Sequence, residues 1–500
     1  MVAIFSTISL GLWGALSLVE GSWATPLAAP GQAAKPNIVL ILADDLGIGD
    51  ISAYKNHGIP TPHIDSLGQS GVRFTDGHVS AAVCAPSRAG LQTGRAGTRH
   101  GSEFNRGEGV NLDEMNLGEL LKQAGYVTAA FGKWHLGMKD GRAPLDQGFD
   151  EFFGLRSGGL YISAQHPEAV NGYGVDADAD LKTGARLRPV YRGNKPVEEK
   201  EYLTEAFTRE AIDFIERNKE KPFFVYLAYN APHAPMQTTK KYYDRFPHIK
   251  NENNRIHAGM VSALDDGVGA VLAKLKALNL DKNTLVIFLS DNGCPSYLDG
   301  GCSNADYRGF KRYHTEGGHR VPFFMSWPGK IPAGRLYEKP ISALDIFPTL
   351  AFVSGTQMPQ DRSIDGVNLL PYVTGEKTAA PHNELFWRAG GNYAVREGNW
   401  KLIVANKTPV EEFLNVPQSE GGLLNHAPYP GVSPHGQHVM LFDLARDPGE
   451  KQNLAARQPD VVARLRRKYN EWDAANVPGN TESASGVPTV IDGEVIELAF

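Results

Sequence analysis

Four apolar runs in this chain stop abruptly at charged or polar residues. NIVLILA runs into Asp44-Asp45, YVTAAF into Gly132-Lys133-Trp134-His135, PFFVYLAY into Asn230-Ala231-Pro232-His233, and TLVIFLS into Asp291-Asn292-Gly293. Runs of Val, Ile, Leu and Phe without alternation read as strands buried on both faces, the mark of a largely parallel sheet. Between them lie helical stripes. Leu203, Phe207, Ala211 and Phe214 share one face, and so do Val261, Leu264, Val268, Val271, Leu275 and Leu278. The alternation predicts an α/β fold in which a large, mostly parallel mixed sheet is sandwiched by helices. Farther on, ELFWRA, NYAVRE, WKLIVA and MLFDLA read as antiparallel strands and Asp460 to Ala475 as one amphipathic helix, which predicts a smaller C-terminal domain with a short antiparallel sheet.

Length and composition refine this outline. Five hundred residues exceed what one core usually holds. The expected division is a catalytic domain over 35–375, a sheet-plus-helix subdomain over 384–480 and a tail over 481–500. Residues 1–24 read as a secretory signal with cleavage after Ala24: the apolar run ends at Val19, and Ser22-Trp23-Ala24 supplies small residues at the recognised positions. The segment before the run lacks Lys and Arg, so a buried amphipathic N-terminal segment is the alternative. No later run reads as a membrane helix, so the mature chain is expected without a membrane partner, in the periplasm or outside the cell. A net charge of −6 gives no general attraction for nucleic acid, and ARLRRKY reads as the solvated face of a helix. Any anion must be held by a local basic cluster.

If the strands are parallel, Asp44, Asp45, Lys133, His135, His233, Asp291 and Asn292 emerge along one edge, where ligands bind in such sheets. A single strand-terminal Asp is ordinarily a turn former, and a His there can simply cap a turn. Groups at four strand ends together point to a site. Asp44, Asp45, Asp291 and Asn292 are hard oxygen donors suited to Ca²⁺ or Mg²⁺. Arg88, Lys133, His135, His233 and Lys311 can hold the remaining oxygens of a tetrahedral anion, so the pair of sets describes a site for a sulfuryl or phosphoryl group. In CAPSRAGLQTGR, at 84–95, Pro86 fits the first turn of a helix that can end at Gly94. Cys84 then stands at the helix entrance, either as a nucleophile with a lowered pKa or as a small buried residue beside a turn. Cys294 and Cys302 can close a disulfide, whereas zinc would need a second ligand pair that is not nearby.

The run Cys84-x-Pro86-Ser87-Arg88 followed by Gly94-Arg95 resembles the signature of the formylglycine-dependent (type I) sulfatases, of the alkaline-phosphatase-like superfamily. The resemblance continues through ADDLGIGD, GKWHLG, APHAP, SDNG, RGFK, EGGHRVP, DIFPTL, AVREGNWKLI and LFDLARDPGEKQNLA, over nearly all of the mature chain. It implies that a formylglycine-generating or equivalent sulfatase-modifying enzyme oxidises Cys84. It also implies that Asp44, Asp45, Asp291, Asn292 and the modified Cys84 bind one divalent cation, most often Ca²⁺, with Mg²⁺ the alternative. By the same resemblance Arg88 orients the formylglycine, Asp291 helps deprotonate its hydrate, and Lys133 and Lys311 neutralise sulfate oxygens. His233 protonates the leaving alcohol, and His135 takes the proton whose loss expels sulfate. The implied function is a secreted sulfuric ester hydrolase acting on sulfated carbohydrates. A broad arylsulfatase, a phosphodiester or phosphonate monoester hydrolase, and a binding protein that kept the fold are the alternatives. His319 departs from the aliphatic residue expected before Arg-Val-Pro, as a substrate contact or a repacked turn. Specificity is expected from the loops 155–200, 236–257, 296–320 and 405–440, with Arg156, Tyr161, His166, His314, His435, His438 and Trp387 as candidate contacts.

Overall fold

Every residue of NIVLILA is buried, as a strand with apolar residues on both faces requires, and the run forms β1 (Asn37–Ala43) near the centre of a ten-stranded sheet. The structure, a computed structural model, describes residues 35–54, 58–105, 109–139, 141–157, 168–175, 189–298, 300–406, 436–479, 487–491 and 494–499. The proposed signal segment, Tyr161, His166 and His435 lie outside them. The other strands of the large sheet are β2 (Val72–Phe74), β3 (Val127–Lys133), β4 (Glu151–Leu155), β5 (Val190–Arg192), β6 (Lys195–Val197), β7 (Phe223–Ala228), β8 (Thr284–Ser290), β9 (Phe323–Ser326) and β10 (Arg335–Tyr337). Across the sheet they run β10-β2-β9-β8-β1-β7-β3-β4-β5-β6. The central five, β8, β1, β7, β3 and β4, are parallel, and antiparallel pairs flank them. Ala43 pairs with Ser290, and both Leu42 and Gly132 pair with Ala228. That register brings four strand ends level, and the polar residues that follow them share one edge.

Side chains alternate between the two faces of β1: Ile38, Leu40 and Leu42 join one apolar cluster, Val39, Ile41 and Ala43 the other. Among the described residues the longer helices are α1 (Pro62–Ser70), α2 (Cys84–Thr93), α3 (Leu117–Gln123), α4 (Leu203–Arg217), α5 (Glu252–Ala277), α6 (Ile346–Ser354) and α7 (Pro459–Asp473). The first cluster is covered by α2, α3 and α6, the second by α1, α4 and α5. Contrary to the expectation from sequence, α5 is long and apolar enough to cross a bilayer by length and composition; it is a core helix here, with Val261, Leu264, Val268, Val271 and Leu275 packed on the sheet.

A second sheet, β11 (Glu384–Ala389), β12 (Asn392–Glu397), β13 (Trp400–Asn406) and β14 (Gln437–Asp443), is antiparallel throughout. One face packs on Leu465 and Tyr469 of α7. The other places Trp387, Ile403, Met440 and Phe442 against Tyr313 of the larger part. In the segment expected as a tail, Val487–Ile491 and Glu494–Ala499 pair as an antiparallel hairpin. Cys294 and Cys302 form a disulfide.

Candidate active site

The strand ends meet through hydrogen bonds. Asp291 N–H donates to Ala43 O at 3.0 Å, and Asp44 N–H to Ala231 O, beyond β7, at 3.1 Å. Asp45 N–H donates to Asp291 Oδ1 at 3.2 Å. Cys84, the first residue of α2, brings Sγ within 3.5 Å of Asp44 Oδ1 and 3.9 Å of Asp45 Oδ1. Lys311 Nζ donates to Asp45 Oδ1 at 2.7 Å and lies 3.1 Å from Cys84 Sγ. Lys133 Nζ donates to Asp44 Oδ2 at 2.6 Å. Arg88, one helical turn beyond Cys84, donates from Nε to Asp291 Oδ2 and from Nη1 to Lys133 O, each at 2.8 Å. His233 Nε2 faces Asp45 Oδ2 at 3.5 Å, while Nδ1 donates to Ala234 O at 2.6 Å. Asp45 carries a left-handed backbone at φ 65°, and so does His135, two residues past the end of β3, at φ 58°. Such conformations are unfavourable without glycine and collect at functional sites.

Burial and charge oppose each other throughout. Burial alone would raise the Asp44 carboxyl, but Lys133, His233 and Arg88 outweigh it and hold it well below the usual range. Asp45 is likewise lowered, by His233 and Lys311. Asp291 is pushed up to about 6 by burial and the neighbouring Asp44 charge. Burial, with Asp291 beside it, drives the Cys84 thiol up to about 12. That direction is opposite to the lowering expected of a thiol activated at a helix entrance. His135 falls well below its ordinary value through burial and the charges of Lys133 and Arg88, so it is neutral at pH 7.

The donors fit a hard divalent cation. Ligand atoms of Asp44, Asp45, Cys84 and His233 all lie within 4.8 Å of one another. Asn292 donates from Nδ2 to Asp45 Oδ1 at 2.7 Å and leaves its Oδ1 buried with no hydrogen-bond partner, an oxygen that a cation would satisfy.

Some sequence candidates lie elsewhere. His319 is fully buried, stacked on Trp387 with centroids 4.0 Å apart, and Trp387 donates from Nε1 to Val79 O. His314 and His438 are buried as well. These four residues pack where the second sheet meets the larger part, so they are not open loop contacts. Arg156 sits over the Tyr191 ring. Conversely, Tyr297 went unremarked in the sequence, although its hydroxyl lies 3.5 Å from Asp45 Oδ2. Its place in the short loop between the two cysteines was the available signal.

The sulfatase family model matches residues 36–356. The N-acetylgalactosamine-6-sulfatase of Canis lupus familiaris is 33% identical, over 92% of this chain and 90% of its own length. The steryl-sulfatase of Rattus norvegicus is 32% identical, over 93% and 92%. Among solved structures, Ps i-CgsB in complex with k-i-k-neocarrahexaose superposes with a TM-score of 0.76 at 33% identity, over 90% of this chain and 95% of that one. A motif cysteine packed against paired carboxylates, joined to likeness along nearly the whole chain, shows that this protein belongs to the sulfatase family, the hydrolases of sulfate esters.

Proposed function

We propose that the chain is an exported hydrolase of carbohydrate sulfate esters that uses a formylglycine made from Cys84 and a bound divalent cation. The observation that carries this reading is the single hydrogen-bonded group formed by Cys84 Sγ, Asp44, Asp45 and Lys311. Relatives support the choice of substrate: one at 33% identity is an N-acetylgalactosamine-6-sulfatase, and a solved structure at 33% carries neocarrahexaose. The steryl-sulfatase at 32% favours a second reading, an ester of a hydrophobic alcohol.

Asp44, Asp45, Asp291, Asn292 and residue 84 would hold the cation, which would polarise the sulfuryl group, while formylglycine would supply an oxygen nucleophile in place of the thiol. Lys133 and Lys311 anchor the anionic oxygens and offset the charge that grows as the S–O bond breaks. Three carboxylates (Asp44, Asp45, Asp291) face three cations (Arg88, Lys133, Lys311). A divalent cation would add two positive charges to that balanced set, which would favour the departing sulfate dianion over the singly charged ester. Arg88 locks Asp291 in place, and Asp291 can take up a proton during attack. Because Ala234 O holds Nδ1–H of His233, only Nε2 is left to protonate the leaving alcohol. His135, neutral and with Nδ1 unbonded among the described residues, accepts the proton released as sulfate leaves.

Intact mass of the Cys84 peptide, measured alongside a desulfation screen at saturating Ca²⁺, tests the reading. The screen compares neocarrahexaose, N-acetylgalactosamine 6-sulfate, aryl and steryl sulfates, and phosphate and phosphonate monoesters. Residue 84 is expected to lose sulfur and gain oxygen, sugar sulfates to turn over fastest, and Cys84→Ala to be inactive. An unmodified thiol in fully active enzyme sinks the formylglycine, and faster release from aryl, steryl or phosphorus esters sinks the carbohydrate substrate.

A further inference from the structure

We infer that Tyr173, backed by Tyr297, is a stacking platform for the pyranose ring that bears the sulfate ester; this rests on the carbohydrate reading above. Tyr297 reaches the site from the loop closed by the Cys294–Cys302 disulfide. Its hydroxyl accepts the N–H of Ala234, next to His233, at 3.0 Å and faces Asp45 Oδ2 at 3.5 Å. Tyr173 covers the Tyr297 ring, with centroids 5.1 Å apart and planes 18° from parallel, yet Tyr173 itself remains 39% exposed. A two-ring stack thus runs outward from the groups that would grip the ester, and its outer ring is open.

The backbone holds that ring in advance of binding. Tyr173 N–H donates to Asn253 Oδ1, and Tyr173 O accepts Met236 N–H, both at 2.8 Å. Gly172 N–H donates to Met236 O at 2.8 Å, and Ala169–Asn171 pairs with Gln237–Thr239. One stretch, 233–239, therefore carries His233 and seats Tyr173, which fixes the ring relative to the proton donor. An aromatic ring ordered before binding contributes affinity without a further loss of conformational freedom. A pyranose offers the complementary surface: a face of C–H bonds with hydroxyls at its rim, and C–H hydrogens carry the slight positive charge that a π face attracts. Ligand sites commonly set such an apolar wall beside a few converging polar groups, here His233, Lys311 and Asp45. Tyr297 acts as a positioning residue, and Tyr173 as the surface that sets which alcohols fit.

The test is steady-state sulfate release from neocarrahexaose and N-acetylgalactosamine 6-sulfate, with inorganic sulfate as inhibitor, by the full modified enzyme and three variants. Tyr173→Ala should raise KM for the sugar esters about tenfold with kcat within about twofold. The sulfate inhibition constant should not move, because the cradle is intact. Tyr173→Trp should restore KM, and Phe352→Ala, which removes an aromatic ring 64% exposed on α6, should change nothing. A wild type that hydrolyses either sugar while Tyr173→Ala keeps its KM overturns the platform alone. A sulfate inhibition constant that rises in step with KM also overturns it, since the ring would then only prop the cradle. A wild type inert toward both sugars overturns the carbohydrate reading and the platform together.

Discussion

Asn292 directs its side-chain N–H groups to Asp45 Oδ1 and Gly293 O, at 2.7 and 2.9 Å, and leaves Oδ1 buried and unbonded. Leaving a buried carbonyl oxygen without a donor costs about 1–3 kcal/mol, a penalty that a bound cation removes. The neighbouring carboxylates point the same way: burial and then the Asp44 charge hold Asp291 high despite Arg88 and Lys133, and a divalent ion would relieve the repulsive part. Asn292→Ala is therefore expected to weaken Ca²⁺ binding at least about tenfold in calorimetry. Its thermal midpoint without metal should fall by less than two lost hydrogen bonds imply, because the unsatisfied oxygen goes with the side chain. Unchanged Ca²⁺ affinity would remove Asn292 from the ligand set.

At the scale of elements, the approach of neighbouring strands sets where Lys133 can stand. Gly132 adopts φ 106°, and a Cβ there would run into the Ala228 carbonyl on β7. Gly132→Ala is expected to lose more than about 3 kcal/mol, by backbone strain and collision together, in urea unfolding. A stable, active alanine variant would show that β3 can shift without losing Lys133. The core strands and the polar groups at their ends were legible in the sequence because an uninterrupted apolar run admits few alternatives in an α/β protein. Cys84 and Arg88 were legible because they share one short motif. The flanking strands Val190–Arg192 and Lys195–Val197 were not, being three residues each and half polar. Nor was the burial of Lys401: in WKLIVA it reads as the solvent side of an alternating strand. The partners that bury it, Glu316 and Glu450, are 85 and 49 positions away in the sequence. Trp387 reads as a loop contact for the same reason, since only tertiary structure stacks it on His319.

Across the whole molecule, the second sheet is joined to the larger part by buried charges. Arg396 pairs with Asp76, Lys401 with Glu316 and Glu450, and Arg388 with Glu103. Two histidines complete the network: His319 Nε2 lies 3.0 Å from Lys401 Nζ, the two Nδ1 atoms of His319 and His78 are 3.0 Å apart, and His78 Nε2 is 2.8 Å from Asp76 Oδ1. His319 Nε2 meets both Lys401 Nζ and the His314 carbonyl, at 3.0 and 3.1 Å, and His78 Nε2 meets both Asp76 and Arg396, so each ring is held on two sides by fixed charged or polar groups. Protonating both rings would set two N–H groups against each other at Nδ1. Burial lowers His78 and His319, the latter well below its ordinary value, and takes His314 down to about 3 with the Lys401 charge adding to the effect. A lowered histidine contributes stability above its unfolded pKa, and that stability is lost as pH falls through the folded one. For His314 the window runs from about 6.5 to about 3, with a slope of about 1.4 kcal/mol per pH unit. Glu450 acts in the opposite sense: burial raises it to about 7, so its contribution is present below 4.5 and fades as pH rises to 7. Between 4.5 and 6.5 Glu450, Asp291, Asp265 and Glu119, all raised, oppose six lowered histidines, His78, His100, His135, His233, His314 and His319, so acidification should still destabilise the fold. Urea unfolding is expected to show a falling midpoint from pH 6.5 to 4.5, with His314→Leu flattening the slope by about one proton. Parallel curves for variant and wild type would mean that His314 does not stay neutral in the folded protein, and that the junction tolerates the charge.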